Sequence, residues 1–193
     1  MPTVLDMSQV PRGSGLLCVR CGYCYPEHVT RDYVYESGHY WGARCGTCGI
    51  RTEHGSVVVP LLDRESVMLD VESARRFTYY HFTERKDWPT YRTYPGAGEH
   101  ENFWAHVGTS QSALDRALTL GARVGFVYVV RVKAEALWSP DVLADDGRMH
   151  GVDCAPGEYQ VRRYLNRYEA PGTISLAVCN TMLEVIDKFE YRK

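Results

Sequence analysis

The chain has 193 residues, 45% of them apolar and 24% charged, and a formal net charge of −2. This is globular material, long enough for one sizeable core and a small appendage, so two unequal units are expected. No stretch approaches the roughly 20 apolar residues of a membrane span, and Met1 to Gly15 lacks the basic start and apolar run of a secretory leader. Seven cysteines, an odd number crowded toward the first quarter, suit metal binding in a reducing, cytoplasmic setting better than a disulfide framework. Charge also balances locally. Between residues 14 and 56, Arg20, Arg31, Arg44 and Arg51 oppose Glu27, Asp32, Glu36 and Glu53, and residues 121 to 193 carry ten charges of each sign. Nonspecific nucleic-acid binding needs clustered Lys and Arg to displace counterions, so a protein target is favoured over nucleic acid.

The first element in chain order is a pair of matching knuckles, Cys18-Val19-Arg20-Cys21-Gly22 and Cys45-Gly46-Thr47-Cys48-Gly49. Two residues between cysteines let both thiolates reach one tetrahedral ion, and the following glycine lets the chain turn back beneath it. Cys24 offers a rival register with Cys21, but Tyr25 follows it where the knuckles place glycine, so Cys24 is read as a spare thiol. Val29 to Tyr35 and Tyr40-Trp41 read as strands of a hairpin turning at Glu36 to His39. Residues 14–56 are therefore expected to be a zinc ribbon. Cys18, Cys21, Cys45 and Cys48 would be its four ligands, and His28 or His39 the less favoured substitutes. Four thiolates leave no open position for water or substrate, so this zinc would be structural.

Val57 to Leu62 reads as a strand leaving the ribbon, and Arg64 to Arg76 as a helix or an irregular linker. The second unit, residues 63–193, begins with a strand around Phe77 to Thr83. A polar loop from Glu84 to Asn102 follows, then a strand from Phe103 to Thr109. Ser110 to Leu120 reads as a helix with Ser110 as N-cap and Ala113, Leu114, Ala117 and Leu118 as its apolar face, closed by Gly121. Phe126 to Val132 is strongly β-forming and Ser139 to Gly157 loop-like. Three further strands are expected around 159–168, 173–179 and 183–191. Cys154 and Cys179 are read as free thiols. The sum is a mixed α+β unit with a mostly antiparallel sheet.

Three clusters carry candidate chemistry: Tyr80-His81-Phe82-Thr83, His106-Val107-Gly108-Thr109 with its helix, and Tyr164 to Glu169 leading to Thr173-Ile174-Ser175. In that order, over residues 77 to 190, they resemble the ADP-ribosyltransferase-like superfamily, which has a split-sheet fold. The resemblance implies NAD as substrate. It makes His81 a hydrogen-bond partner of the nicotinamide ribose and Thr83 its neighbour, and it puts His106, Gly108 and Thr109 on the second side of the pocket. Glu169 matches the late glutamate that supports the electron-poor sugar as nicotinamide departs, because a fixed carboxylate stabilises that developing charge more than the ground state. Phe82 stands where the family has glycine, which demands that its ring point away from the cofactor. The family's stacking tyrosine has no motif-level counterpart. Tyr128, Tyr159 and Tyr164 lie in the eligible region, and Tyr128 is placed with the cofactor pocket.

Plainer readings stand beside these. A histidine on an apolar strand is commonly a satisfied core residue. In an extended strand, Glu169 shares a face with Arg167 and Arg163, so a surface ion pair would account for it. Two functions follow: ADP-ribosyl transfer to a macromolecule, with the ribbon as scaffold or docking module, and a noncatalytic protein-binding role on the same scaffold. A third, stacking of nucleic acid on the ribbon tyrosines, loses weight from the balanced charge.

Overall fold

The computed structural model describes residues 4–6, 16–18, 20–25, 44–50, 58–60, 70–89, 103–144 and 159–193. The hairpin expected between Val29 and Trp41, with His28 and His39, lies outside them, as does Cys154. The described elements are mixed α+β, mostly strands in antiparallel sheets with little helix. No helix among the described residues is long and apolar enough to cross a membrane.

The short β1 (Val4–Leu5), β2 (Leu16–Cys18), β3 (Cys24–Tyr25) and β4 (Val58–Pro60) open the chain, and the single-turn helix α1 (Val71–Ala74) follows. In α1, the Asp70 side chain caps the turn by accepting from the Ser73 N–H. Strand β2 lies between β3 and β4 in a small antiparallel sheet whose alternation divides its side chains. Leu16, Cys18 and Val58 join Tyr25 and Cys45 in a local core, whereas Leu17 and Val59 belong to the main core. These short strands are thus packed onto the main core through Leu17 and Val59.

The main core lies between two larger sheets. One comprises β5 (Tyr79–Thr83), β7 (Val124–Val132) and β11 (Leu183–Arg192), with β7 central and every pairing antiparallel. The other is ordered β1, β8 (Trp138–Ala144), β9 (Val161–Leu165), β10 (Ile174–Cys179), β6 (Trp104–Val107), antiparallel except for β8 against β9. Period-two alternation turns Tyr79, Tyr128, Val130, Val142, Leu165 and Leu176 into the space between them. On the far face of β5, Phe82 packs on Ala113, Ala117 and Ala122, under helix α2 (Ser110–Thr119). Its ring therefore points away from the face that bears His81.

Between β5 and β6, the described residues show one bridge, Tyr80 with Gly108, made by N–H to O bonds of 2.9 and 3.0 Å. The two large sheets are linked at this narrow seam.

Three expectations change. The stretch from Ser139 is not loop throughout, because β8 runs to Ala144, its signal masked by Pro140 and Asp141 at a register break against β9. Thr109, not Ser110, caps α2, its hydroxyl accepting from the Ser112 N–H at 3.1 Å. Leu114 and Leu118 stand 44% and 52% exposed, because α2 turns Ser112, Ala113 and Ala117 toward the sheet instead. Gly121 does close the helix, in a left-handed conformation at φ 62°.

Candidate functional site

The four knuckle cysteines converge. Their Sγ atoms lie within 4.8 Å of one another, with Cys18 to Cys48 and Cys21 to Cys45 each at 3.9 Å. A zinc–thiolate bond of about 2.3 Å gives a tetrahedron sulfur–sulfur edges of about 3.8 Å, so the spacing fits a tetrathiolate ion. The knuckles also match in backbone. Cys18 N–H donates to Tyr23 O and Cys45 N–H to Ile50 O, while Gly22 N–H returns to Cys18 O and Gly49 N–H to Cys45 O. Gly22 at φ 72° and Gly49 at φ 68° occupy the left-handed region that a side chain would strain. Cys24 stays outside the tetrad, its thiol 3.6 Å from Gly22 O.

The cluster separates its members electrostatically before any metal binds. Burial pushes the Cys18 and Cys21 thiols up. Burial also opposes ionisation of Cys45, but hydrogen bonds from the Tyr25 hydroxyl and from the Cys48 and Thr47 N–H groups outweigh it and lower that thiol to about 6.

His81 sits on the inner face of β5, opposite Tyr128 of β7. Its Nδ1 lies 2.7 Å from the His106 carbonyl oxygen, which only accepts, so Nδ1 carries the proton and Nε2 of the neutral ring is an acceptor. The ring stacks on Trp88 at 4.2 Å and 10°. Nε2 of His81 and Nε1 of Trp88 are both shielded from solvent and, among the described residues, both without a hydrogen-bond partner. An unmet acceptor and an unmet donor thus lie on two stacked rings. Burial lowers the His81 pKa to about 4, against the hydrogen bond to His106 and with the help of the Arg116 charge.

The other candidates are distributed around this point. Thr83 is buried, its hydroxyl accepting from Arg85 N–H at 3.1 Å. Tyr128 donates to the Lys86 carbonyl and its ring lies 5.0 Å from Trp88. His106 reaches His81 through its backbone carbonyl. Its own ring lies on the outer face of the second sheet, Nδ1 3.0 Å from the Tyr164 hydroxyl. Gly108 forms the seam and Thr109 caps α2.

Glu169 is not on a strand, because β9 ends at Leu165 and residues 166–172 form a turn around Asn166, whose Oδ1 accepts from the Tyr168 and Glu169 N–H groups. Its carboxylate pairs with Arg116 of α2, not with Arg163 or Arg167. Arg163 and Arg167 are themselves buried, Arg163 donating to the Pro140 carbonyl and Arg167 stacking over Tyr168. The geometry therefore unites His81 with Tyr128 and Trp88, and holds Glu169 on the α2 side of the seam.

Trp88 escaped sequence reasoning inside a stretch read as polar loop. A tryptophan flanked by Asp87 and Pro89 was its only signal. Cys179 also differs from expectation, being disulfide-bonded rather than a free thiol.

No protein-family model, curated protein or solved structure matches this chain.

Proposed function

We propose that the tetrad holds a structural zinc ion and that the seam between the sheets is the site of ADP-ribosyl transfer from NAD to a protein acceptor. The observation that carries this reading is the unmet pair on His81 and Trp88. A sugar hydroxyl both donates and accepts, so hydroxyls of a ribose admitted beside the stacked rings would find an acceptor in His81 Nε2 and a donor in Trp88 Nε1–H. A neutral His81 with its proton held at Nδ1 stays an acceptor across the physiological pH range. The outward turn of Phe82 leaves the His81 face clear, which this reading requires.

In this reading His81 orients the nicotinamide ribose. Arg116 engages Oε1 of Glu169, leaving Oε2 to hold a ribose hydroxyl while positive charge builds on the sugar. The same carboxylate then takes the proton of the attacking acceptor. Zinc takes no part in this chemistry, since its four thiolate ligands close it to substrate.

A second reading is favoured by the Arg116–Glu169 ion pair itself, which gives the carboxylate a structural task. It assigns the chain to noncatalytic protein binding. Incubation with NAD and cell lysate separates the two: nicotinamide release that Glu169→Gln abolishes supports transfer. No release, together with retained partner capture by Glu169→Gln, supports binding alone.

A further inference from the structure

We infer that Tyr25 is the positioning residue of the metal centre, its hydroxyl donating to Cys45 Sγ while accepting from the backbone of the second knuckle. The inference rests on the reading of the tetrad as a metal site. Tyr25 belongs to β3, directly after the first knuckle, yet its hydroxyl reaches across to the second. It lies 2.9 Å from Cys45 Sγ, 2.8 Å from Gly46 N and 3.4 Å from Thr47 N.

The direction of the sulfur contact follows from counting. A phenol oxygen carries one proton and two lone pairs. Gly46 and Thr47 point N–H donors at that oxygen, and a metal-bound Cys45 thiolate has no proton to give it. The hydrogen in the 2.9 Å contact is therefore the phenol's own, and Cys45 Sγ is its acceptor. Sγ also accepts from Cys48 N–H at 3.5 Å, an arrangement suited to a metal-bound thiolate and wasted on a thiol.

Among the described residues, the first knuckle shows no such clamp. Cys18 Sγ accepts from Arg20 N–H at 3.4 Å, a bond the loop makes within itself. In the second knuckle Gly46 N–H is drawn onto Tyr25, and Thr47 N–H is shared between the Tyr25 hydroxyl and Cys45 Sγ. The phenol ring is buried among Leu16, Cys18, Cys45 and Val58, so the hydroxyl has little freedom to leave. One side chain thereby ties the two halves of the centre together and orients one of its four ligands.

The test uses the full chain and its Tyr25→Phe variant, each titrated with zinc against a competing chelator and each loaded with cobalt. Both should bind one ion, the variant about 10- to 100-fold more weakly. Its sulfur-to-cobalt charge-transfer band should move to longer wavelength, because a thiolate that loses a hydrogen bond gives up electrons more easily. Wild-type chain that takes up no metal would overturn the tetrad reading itself. Equal affinities and an unmoved band would overturn the role of Tyr25 and leave the tetrad standing.

Should the variant not fold, NMR-active cadmium in the wild-type chain decides the matter. Magnetisation should pass from the Tyr25 hydroxyl proton through Sγ to the metal. Transfer from Cys48 N–H without transfer from Tyr25 would refute the assignment.

Discussion

Arg116 Nη1 lies 3.0 Å from Glu169 Oε1, an ion pair that fastens the turn between β9 and β10 to helix α2. The preceding helix residue reinforces it, Asp115 Oδ2 accepting from the Ala170 N–H at 2.9 Å. Two consecutive side chains of α2 thus hold a turn in which Ala170 adopts φ 46°. The Glu169 side chain is 18% exposed and that of Arg116 35%, so the pair is only partly screened. A double-mutant cycle with Arg116→Met and Glu169→Gln, read by urea denaturation, should give a coupling energy of about 0.5–1 kcal/mol. Simple additivity would mean that the turn is held by Asp115 and Asn166 alone.

Stability should respond to pH through His81. The folded-state pKa is lowered from 6.5 to about 4, so between those values the unfolded chain binds a proton that the folded chain refuses. Stability is then intact above pH 6.5 and falls as pH drops toward 4, at about 1.4 kcal/mol per pH unit for one proton. Below the folded pKa both states are protonated and the dependence on this group ends. His81→Asn should flatten the slope in that window when the two chains are compared by denaturant titration at several pH values. An unchanged slope would show that His81 is protonated in the folded protein.

Metal affinity should rise with pH across the neutral range. Burial raises the Cys18 and Cys21 thiols, so both carry protons at pH 7 that an incoming ion must displace. Zinc added to metal-free chain in weak buffer should therefore acidify it, and competition titrations should show tighter binding at pH 8 than at pH 6. Chelation should also reach beyond the tetrad, because Leu17 and Val59 sit in the main core while their neighbours Cys18 and Val58 belong to the cysteine cluster's local core. Removing the ion should lower the thermal midpoint of the whole chain. A midpoint indifferent to chelator would mean that the tetrad is folded without metal.

The cysteine cluster was legible in the sequence because Cys-x-x-Cys-Gly encodes both ligand reach and a backbone reversal, which Gly22 and Gly49 supply at positive φ. Strands β5, β7 and β11 were legible from β-branched and aromatic runs. Strand β8 was hidden by the Pro140-Asp141 break, and β1 by its length of two residues, which carries no periodicity. The cap of α2 fell one residue early because Thr109 and Ser110 are both good capping residues, and only backbone conformation separates them. Around the seam, spacing predicted which residues lie on strands but not which group meets which. The tautomer of His81 depends on a carbonyl 25 residues away, and the partner of Glu169 on a helix 53 residues away. Such contacts belong to tertiary packing and leave no local trace.

Gly108 illustrates that limit, since the resemblance gives it a place beside a cofactor while the structure gives it a packing reason. A Cβ built there would stand 2.9 Å from Ser175 Oγ and 3.1 Å from Ser112 Oγ. Both hydroxyls are engaged, Ser175 accepting from Asn166 Nδ2 and Ser112 hydrogen-bonded to Thr109 Oγ1, so neither moves freely. Gly108→Ala should destabilise the chain by about 1–3 kcal/mol through overpacking at the seam. Ser175→Ala removes the nearest obstacle, so the double variant should lose less stability than the sum of its two singles. A cycle showing no such relief would mean that the seam opens to admit the methyl group. In that case Gly108 would owe its place to something other than packing.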